Sequence, residues 1–247
     1  MLVVVTGLRS EAKILRGLGV ACISVGGKAQ TAPGKIESAI AQGATGLVSF
    51  GIAGALHPEL RTGDVVVAQT VVDETGASAP THSEWVRALL LQTPPVTPAL
   101  SRGPSERQTR ADEWIPAQGR DDERGRIKVG AILGLDHLLS SSQDKAAAFA
   151  RSEAWAIDME SHHVARAAAA HNLPFVAIRA ISDRSDETLP ACLADFVDGE
   201  GRTKMSAVLA ALIFGRVKLG ELIATGRASR RAHQALFGCR GALARLR

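Results

Sequence analysis

Short apolar runs alternate with helical stretches along most of this chain, and the changeovers fall at glycines and small polar residues. Leu2–Val5 is a β-branched run ending at Thr6-Gly7, and Ser10 with Glu11 opens a helix through about Leu18. Ala21–Val25 predicts a second strand, Gly34–Gln42 a helix and Gly46–Phe50 a third strand, closed by a turn at Gly51-Ile52-Ala53-Gly54. Further strands are expected at Asp64–Val72, Ile127–Leu133, Ala154–Ile157 and Phe175–Ile181. Helices are expected at Ser83–Leu91, His137–Ala150, Ser161–His171 and Lys204–Phe214. This alternation predicts an α/β fold of three layers, with a central, mostly parallel or mixed sheet covered on both faces.

Composition agrees. Hydrophobic residues make up 46% of the 247 but aromatics only 4%, with no Tyr, so the core must be built from Ala, Val, Leu and Ile. The three cysteines, Cys22, Cys192 and Cys239, are odd in number and lack a CxxC spacing, which argues against a disulfide framework or a cysteine zinc site. Leu2–Val5 is too short for a signal core, and Met205–Phe214 falls far below the roughly 20 residues that span a bilayer. A cytoplasmic protein is expected.

Two stretches break the pattern. Residues 94–126 scatter five prolines among charges without apolar periodicity, and read as a disordered insertion in a domain spanning 1–215. Residues 216–247 carry eight Lys/Arg against Glu221 alone, a net +7 that leaves −3 for the rest, so the basic character belongs to the tail. Apolar Leu219, Leu222, Ile223, Leu236, Phe237, Leu243 and Leu246 recur among those arginines, predicting a basic amphipathic helix interrupted near Gly226 and Gly238. Its plainer reading is a terminal helix packed on the body or on a partner subunit; the alternative is peripheral contact with the inner face of a membrane. Without interleaved aromatics, nucleic-acid binding is not expected.

Chemistry-bearing residues fall where strands end. Ser182-Asp183 follows the strand Phe175–Ile181, Asp158-Met159-Glu160 follows Ala154–Ile157, and Glu11 follows the first strand by one turn. Each has a plainer role as a turn or helix-capping acid. Together they could supply a proton donor, a base and a partner for a developing cation. The backbone N–H groups of Gly51, Ile52, Ala53 and Gly54 could line a sugar or a phosphate. Neither this segment nor Gly7-Leu8-Arg9-Ser10 is GxGxxG, which counts against a dinucleotide-binding oxidoreductase. His162 and His163 are adjacent, so they are expected on different faces of one helix and not as a metal pair. His57, beside the glycine-rich segment, is a weaker candidate for the site.

Taken in order, these motifs resemble the purine nucleoside phosphorylase and methylthioadenosine/S-adenosylhomocysteine nucleosidase superfamily. They run from Gly7-x-x-x-Glu11 through Phe50-Gly51-Ile52-Ala53-Gly54-Ala55-Leu56 and Gly63-Asp64-Val65-Val66 to Asp158-Met159-Glu160 and Arg179-Ala180-Ile181-Ser182-Asp183. The resemblance spans nearly all of the chain outside 94–126 and the tail, and looks closest to the hopanoid-biosynthesis-associated phosphorylase branch, to which removal of adenine from adenosylhopane is assigned.

It implies a nucleoside phosphorylase-like fold and an enzyme that cleaves the N-glycosidic bond of an adenine nucleoside. Asp183, oriented by Ser182, would protonate N7 of the base. Glu160 would hold the ribose hydroxyls, Met159 would pack on the sugar and Glu11 would position or deprotonate the attacking water. The adenine-binding segment falls on Asp136-His137-Leu138-Leu139, where Leu138 and Leu139 replace a more usual aromatic and aliphatic pair. Phosphorylases of this superfamily carry arginines at the positions of Glu11 and Ser49. An acid there makes a poor anion site, which favours hydrolysis, although Arg9 could still supply a cation. No metal or redox cofactor is implied, and inorganic phosphate would be a co-substrate only of a phosphorylase. The expected partners are a small nucleoside, free or lipid-linked, and further copies of the chain. A methylthioadenosine-type nucleosidase and a nucleoside-binding sensor without turnover are the alternatives.

Overall fold

The computed structural model describes residues 1–26, 31–92, 126–198, 200–214 and 216–246. Residues 94–125 of the expected insertion lie outside these. Eight strands form one sheet: β1 (Leu2–Thr6), β2 (Ala21–Ser24), β3 (Gly46–Ala55), β4 (Val65–Asp73), β5 (Ser78–Pro80), β6 (Ile127–Gly134), β7 (Ala156–Asp158) and β8 (Phe175–Asp183). The helices are α1 (Arg9–Ile14), α2 (Ala32–Ala41), α3 (Ser83–Gln92), α4 (Ser142–Ser152), α5 (Ser161–Ala170), α6 (Met205–Ile213) and α7 (Leu219–Leu243), with a 3-10 turn at Ala191–Phe196. This is the expected α/β architecture with a mixed sheet and helices on both sides.

The ten-residue β3 organises the sheet. Its first half lies between β1 and β8, both parallel to it; beyond β1 its last two residues, Gly54 and Ala55, pair antiparallel with β7. From β8 the sheet runs antiparallel to β4, then parallel to β6 and on to β7, which returns it to β3. Five strands therefore close a ring, and β2 and β5 form the two ends of the sheet outside it.

Burial on both faces explains the composition of β3. Leu47, Ala53 and Ala55 join one core cluster with Ile36 of α2 and Val164 of α5. Val48, Phe50 and Ile52 join the other, with Ile14 of α1, Leu89 of α3 and Leu236 of α7. A strand buried on both faces reads as a continuous apolar run.

The segment expected to turn at Gly51-Ile52-Ala53-Gly54 instead continues the strand. Glycine is a breaker by local statistics, but here it serves a close approach of side chains. A bulge between Ala53 and Gly54 also resets the two-residue alternation within this segment. Likewise α7 runs unbroken through Gly226 and Gly238. Its second half is core: Ala232, Ala235, Leu236, Cys239, Ala242 and Leu243 are buried against the sheet and against α1 and α3, while the half-buried Arg240 donates to the Ile14 carbonyl at 3.3 Å.

Before α7, the 3-10 turn and α6 pack on its first turns around Phe196, Ala211 and Val217 as a small satellite cluster. This cap touches the body at the end of β1, where the Arg9 N–H donates to the Gly201 carbonyl at 3.0 Å. Among the described residues, no helix is long and apolar enough to cross a membrane.

Candidate active site

The ends of β1, β3 and β8 and the start of α5 bring three carboxylates against three glycines. Glu11 occupies the third position of α1 and caps its own helix, its Oε2 accepting the Leu8 N–H at 2.8 Å, while its Oε1 reaches across to accept the Ile52 N–H at 2.9 Å. A Cβ on Gly51 would stand 2.8 Å from Glu11 Oε1. A Cβ on Gly7 would stand 2.6 Å from Glu160 Oε1, and one on Gly54 2.9 Å from Asp183 Oδ2. The glycines of the sequence motifs are thus the spaces that the acids fill, and the Ile52 N–H is engaged by Glu11.

Arg179 of β8 links Glu160 to Asp158. It is fully buried, its Nε donates to Asp158 Oδ2, and one terminal nitrogen donates to Ser49 Oγ at 2.7 Å and lies 3.6 Å from Glu160 Oε2. Asp158 also accepts from the Ser161 hydroxyl and, at 3.1 Å, from the Ser161 N–H at the start of α5. Its capping role and its role as counterion to Arg179 therefore coexist. Burial opposes the charged guanidinium, but Asp158, Glu160 and Glu11 outweigh it and raise the Arg179 pKa.

The acids respond in the opposite sense. Burial pushes Glu160 up to about 8, with Arg179 opposing and Asp158 and Glu11 adding to the rise. Burial also raises Glu11, offset in part by the Leu8 and Ile52 N–H groups and by Arg179. Burial thus favours the protonated form of Glu160, which can both give and accept hydrogen bonds.

Asp183 is the last residue of β8, inside the strand rather than beyond it. Its Oδ1 lies 2.7 Å from the Ser182 hydroxyl, which also lies 3.1 Å from the Ala53 carbonyl. Its Oδ2 accepts from Lys145 Nζ at 2.6 Å. Lys145, on α4, is fully buried, and no role for it follows from the sequence motifs. Its signal was nevertheless present: Lys145, Ala148 and Ser152 recur at helical spacing on one stripe of α4, an unusual place for a lysine.

Other expected site residues lie around this group. Met159 is half-buried between β7 and α5; Leu138 and Leu139 are half-buried before α4, Leu139 packing on the cluster of Leu56, Leu133 and Ile157. Arg9 points away: it pairs with the exposed Glu200 at 2.8 Å and lines, with Lys13, Arg16 and Lys35, a cleft of about 400 Å³ on the outer side of α1. His57 stacks on Trp155 at 4.2 Å.

The two adjacent histidines do not diverge as expected. Their rings lie 3.9 Å apart, and both Nε2 atoms meet Asp136 Oδ1, at 2.9 Å for His162 and 2.8 Å for His163. Successive helical positions differ by about 100°, but imidazoles at a helix start can swing to one acceptor. Burial lowers the His163 pKa, assisted by His162. These ligand atoms lie within 4.8 Å of one another and could approach a divalent ion. Coordination through Nε2 would put the proton of His162 on Nδ1, which is buried and has no partner among the described residues. The arrangement is better satisfied as a hydrogen-bonded cluster.

A ring-closed mixed sheet with helices on both faces, and buried acids gathered at its strand ends around one arginine, defines an α/β protein equipped for acid–base chemistry on a polar ligand. The family model of the Phosphorylase superfamily matches residues 12–213, and the chain belongs to that superfamily. The 5'-methylthioadenosine/S-adenosylhomocysteine nucleosidase of Mycobacterium tuberculosis is 28% identical over 151 residues, 56% of this chain. This chain spans 58% of that relative's length. The Haemophilus influenzae enzyme of the same name is 28% identical over 193 residues, covering 73% of this chain and 77% of the relative. Among solved structures, the Colwellia psychrerythraea nucleosidase of that name, in complex with adenine, superposes with a TM-score of 0.62 at 18% identity, covering 98% of this chain and 95% of that one. Futalosine hydrolase of Helicobacter pylori gives 0.57 at 16% identity, covering 74% and 87%. These likenesses establish the fold.

Proposed function

We propose that this chain cleaves the N-glycosidic bond of a 5′-substituted adenine nucleoside and releases adenine. The observation that carries the reading is that Glu11, Glu160 and Asp183 each fill the room beside a glycine of the motifs, Gly51, Gly7 and Gly54, two of which lie on β3. Asp183, aligned by Ser182, gives its proton to N7 of the departing base. Glu160 holds the ribose hydroxyls beside Met159, and Glu11 orients the attacking water. The nucleosidase relatives support this assignment of chemistry.

Hydrolysis is favoured over phosphorolysis on charge. Arg179, the buried cation of the cluster, is already matched by Asp158, and Arg9 pairs with Glu200, so among the described residues neither arginine is left to offset the Glu11 carboxylate against an incoming phosphate.

For the 5′ substituent, the relatives support a methylthio or homocysteine group. A bulky apolar group, as in adenosylhopane, is the finer reading. It is supported by the exposed Met205, Phe214, Leu219 and Ile223 at α6 and the start of α7, interleaved with the exposed Lys204, Arg216 and Lys218. Adenine release from 5′-methylthioadenosine, S-adenosylhomocysteine and adenosylhopane, each with and without phosphate, tests the proposal. Phosphate-independent release supports it, and folded protein that binds these nucleosides but frees no adenine refutes it. Preference for adenosylhopane, with flotation of the protein on anionic vesicles, would establish the lipid reading; preference for the small substituents would remove it.

A further inference from the structure

The contact between Lys145 Nζ and Asp183 Oδ2 has no part in the chemistry assigned so far. Lys145 is fully buried, and its Nζ spends one hydrogen on each of three acceptors: Asp183 Oδ2 at 2.6 Å, the Arg184 carbonyl at 2.9 Å and the Glu187 carbonyl at 2.9 Å. Three donated hydrogens require an ammonium. The same contacts tie α4 to the segment that follows β8, so the lysine fixes both the carboxylate and the chain behind it. The opposite oxygen of Asp183 meets the Ser182 hydroxyl, and Gly54 closes the near side. The carboxyl group therefore has one orientation.

We infer that Lys145 is the positioning residue for proton transfer to the leaving base, holding Asp183 in line and balancing the charge that appears on it. The inference rests on the reading of Asp183 as the acid. In the reacting state Asp183 carries its proton on Oδ1, the oxygen that Lys145 does not hold; as the C1′–N9 bond breaks, its electron pair passes to the purine and that proton moves to N7. Asp183 is left as a carboxylate, and the fixed ammonium lies against the oxygen where the negative charge develops. A preorganised charge at that position stabilises the transition state more than the ground state. A structural strut would hold the fold equally for every substrate. A residue acting through the acid matters only when the leaving group needs a proton.

The test follows from that contrast. Two substrates sharing one 5′-alkylthio ribose are compared, one leaving as adenine and the other as 4-nitrophenolate, which departs without protonation. For Lys145→Met and Lys145→Gln, kcat with the adenine substrate should fall about 10- to 100-fold, the size expected on losing a charged hydrogen bond, with KM little changed. Loss with the nitrophenyl substrate should stay within about 3-fold, and Lys145→Arg should recover most of the adenine rate. Because both rates are read on one preparation, their ratio is independent of the folded fraction, so poor folding of a variant does not blunt the result.

An unchanged ratio in the lysine variants overturns the inference. Asp183→Asn is the control: if it too leaves the ratio unchanged, Asp183 is not the acid and the functional reading fails. If it shifts the ratio while the lysine variants do not, only the role of Lys145 falls.

Discussion

Replacing Gly51 by Ala tests whether the glycines exist to make room for the acids. Gly51 lies within β3 and its backbone is compatible with any L residue, so the added methyl group meets only what faces it. It would stand 2.8 Å from Glu11 Oε1 and 3.0 Å from both Cδ and Oε2. An ordinary contact begins near 3.4 Å, so the carboxylate must retreat by roughly 0.6 Å. Glu11 has little freedom to do so, because its two oxygens are held by the Leu8 and Ile52 N–H groups at 2.8 and 2.9 Å. A retreat of that size stretches the Ile52 bond beyond useful length, with a loss of about 1.5–3 kcal/mol for a hydrogen bond to a charged group. A displacement approaching 1 Å in a group that orients a nucleophile lowers kcat by about 10- to 100-fold. Adenine release at saturating 5′-methylthioadenosine, measured beside thermal unfolding, separates the two effects. A Gly51→Ala protein that is folded and retains full kcat would show that the position of Glu11 is irrelevant to turnover.

Two further outcomes follow from burial. Glu160 holds its proton up to about pH 8 in the folded chain against an ordinary value of 4.5, so the folded state binds more protons than the unfolded state across that window. Stability to urea should therefore decline as pH rises from about 5 to about 8, and Glu160→Gln should flatten the decline, with Glu11 contributing a remnant of the same sign; an identical slope in the variant would contradict the assignment. In α7, Leu236 is fully buried and its neighbour Phe237 is 55% exposed. Leu236→Ala should lower unfolding free energy by about 2–5 kcal/mol and Phe237→Ala by no more than about 0.5 kcal/mol, and equal losses would mean that α7 does not pack as described.

The strands were legible because a doubly buried strand needs a long apolar run, and β1, β4, β6 and β8 have little else. The positions of Glu11, Glu160 and Asp183 were legible as acids following such runs. Three features were not. Gly51 and Gly54 read locally as a turn, because a breaker signal carries no record of the carboxylate that will occupy the space beside it. His162 and His163 read as divergent, because helical spacing describes Cβ directions and not a shared acceptor on Asp136, 26 and 27 residues away. Lys145 shows locally only as a lysine on the buried stripe of α4, and its partner Asp183 lies 38 residues on.

The amino-acid sequence by itself determined the layered α/β architecture, the absence of tyrosine from its core and the acids available for chemistry, since periodicity and residue type are local properties. Tertiary structure alone decided which charges face one another. Closure of the β3–β8–β4–β6–β7 ring placed Arg179 among Asp158, Glu160 and Ser49, and the packing of α4 placed an ammonium on Asp183. Coulomb energy and desolvation depend on distance and burial, and neither is fixed until strands far apart in the chain have paired.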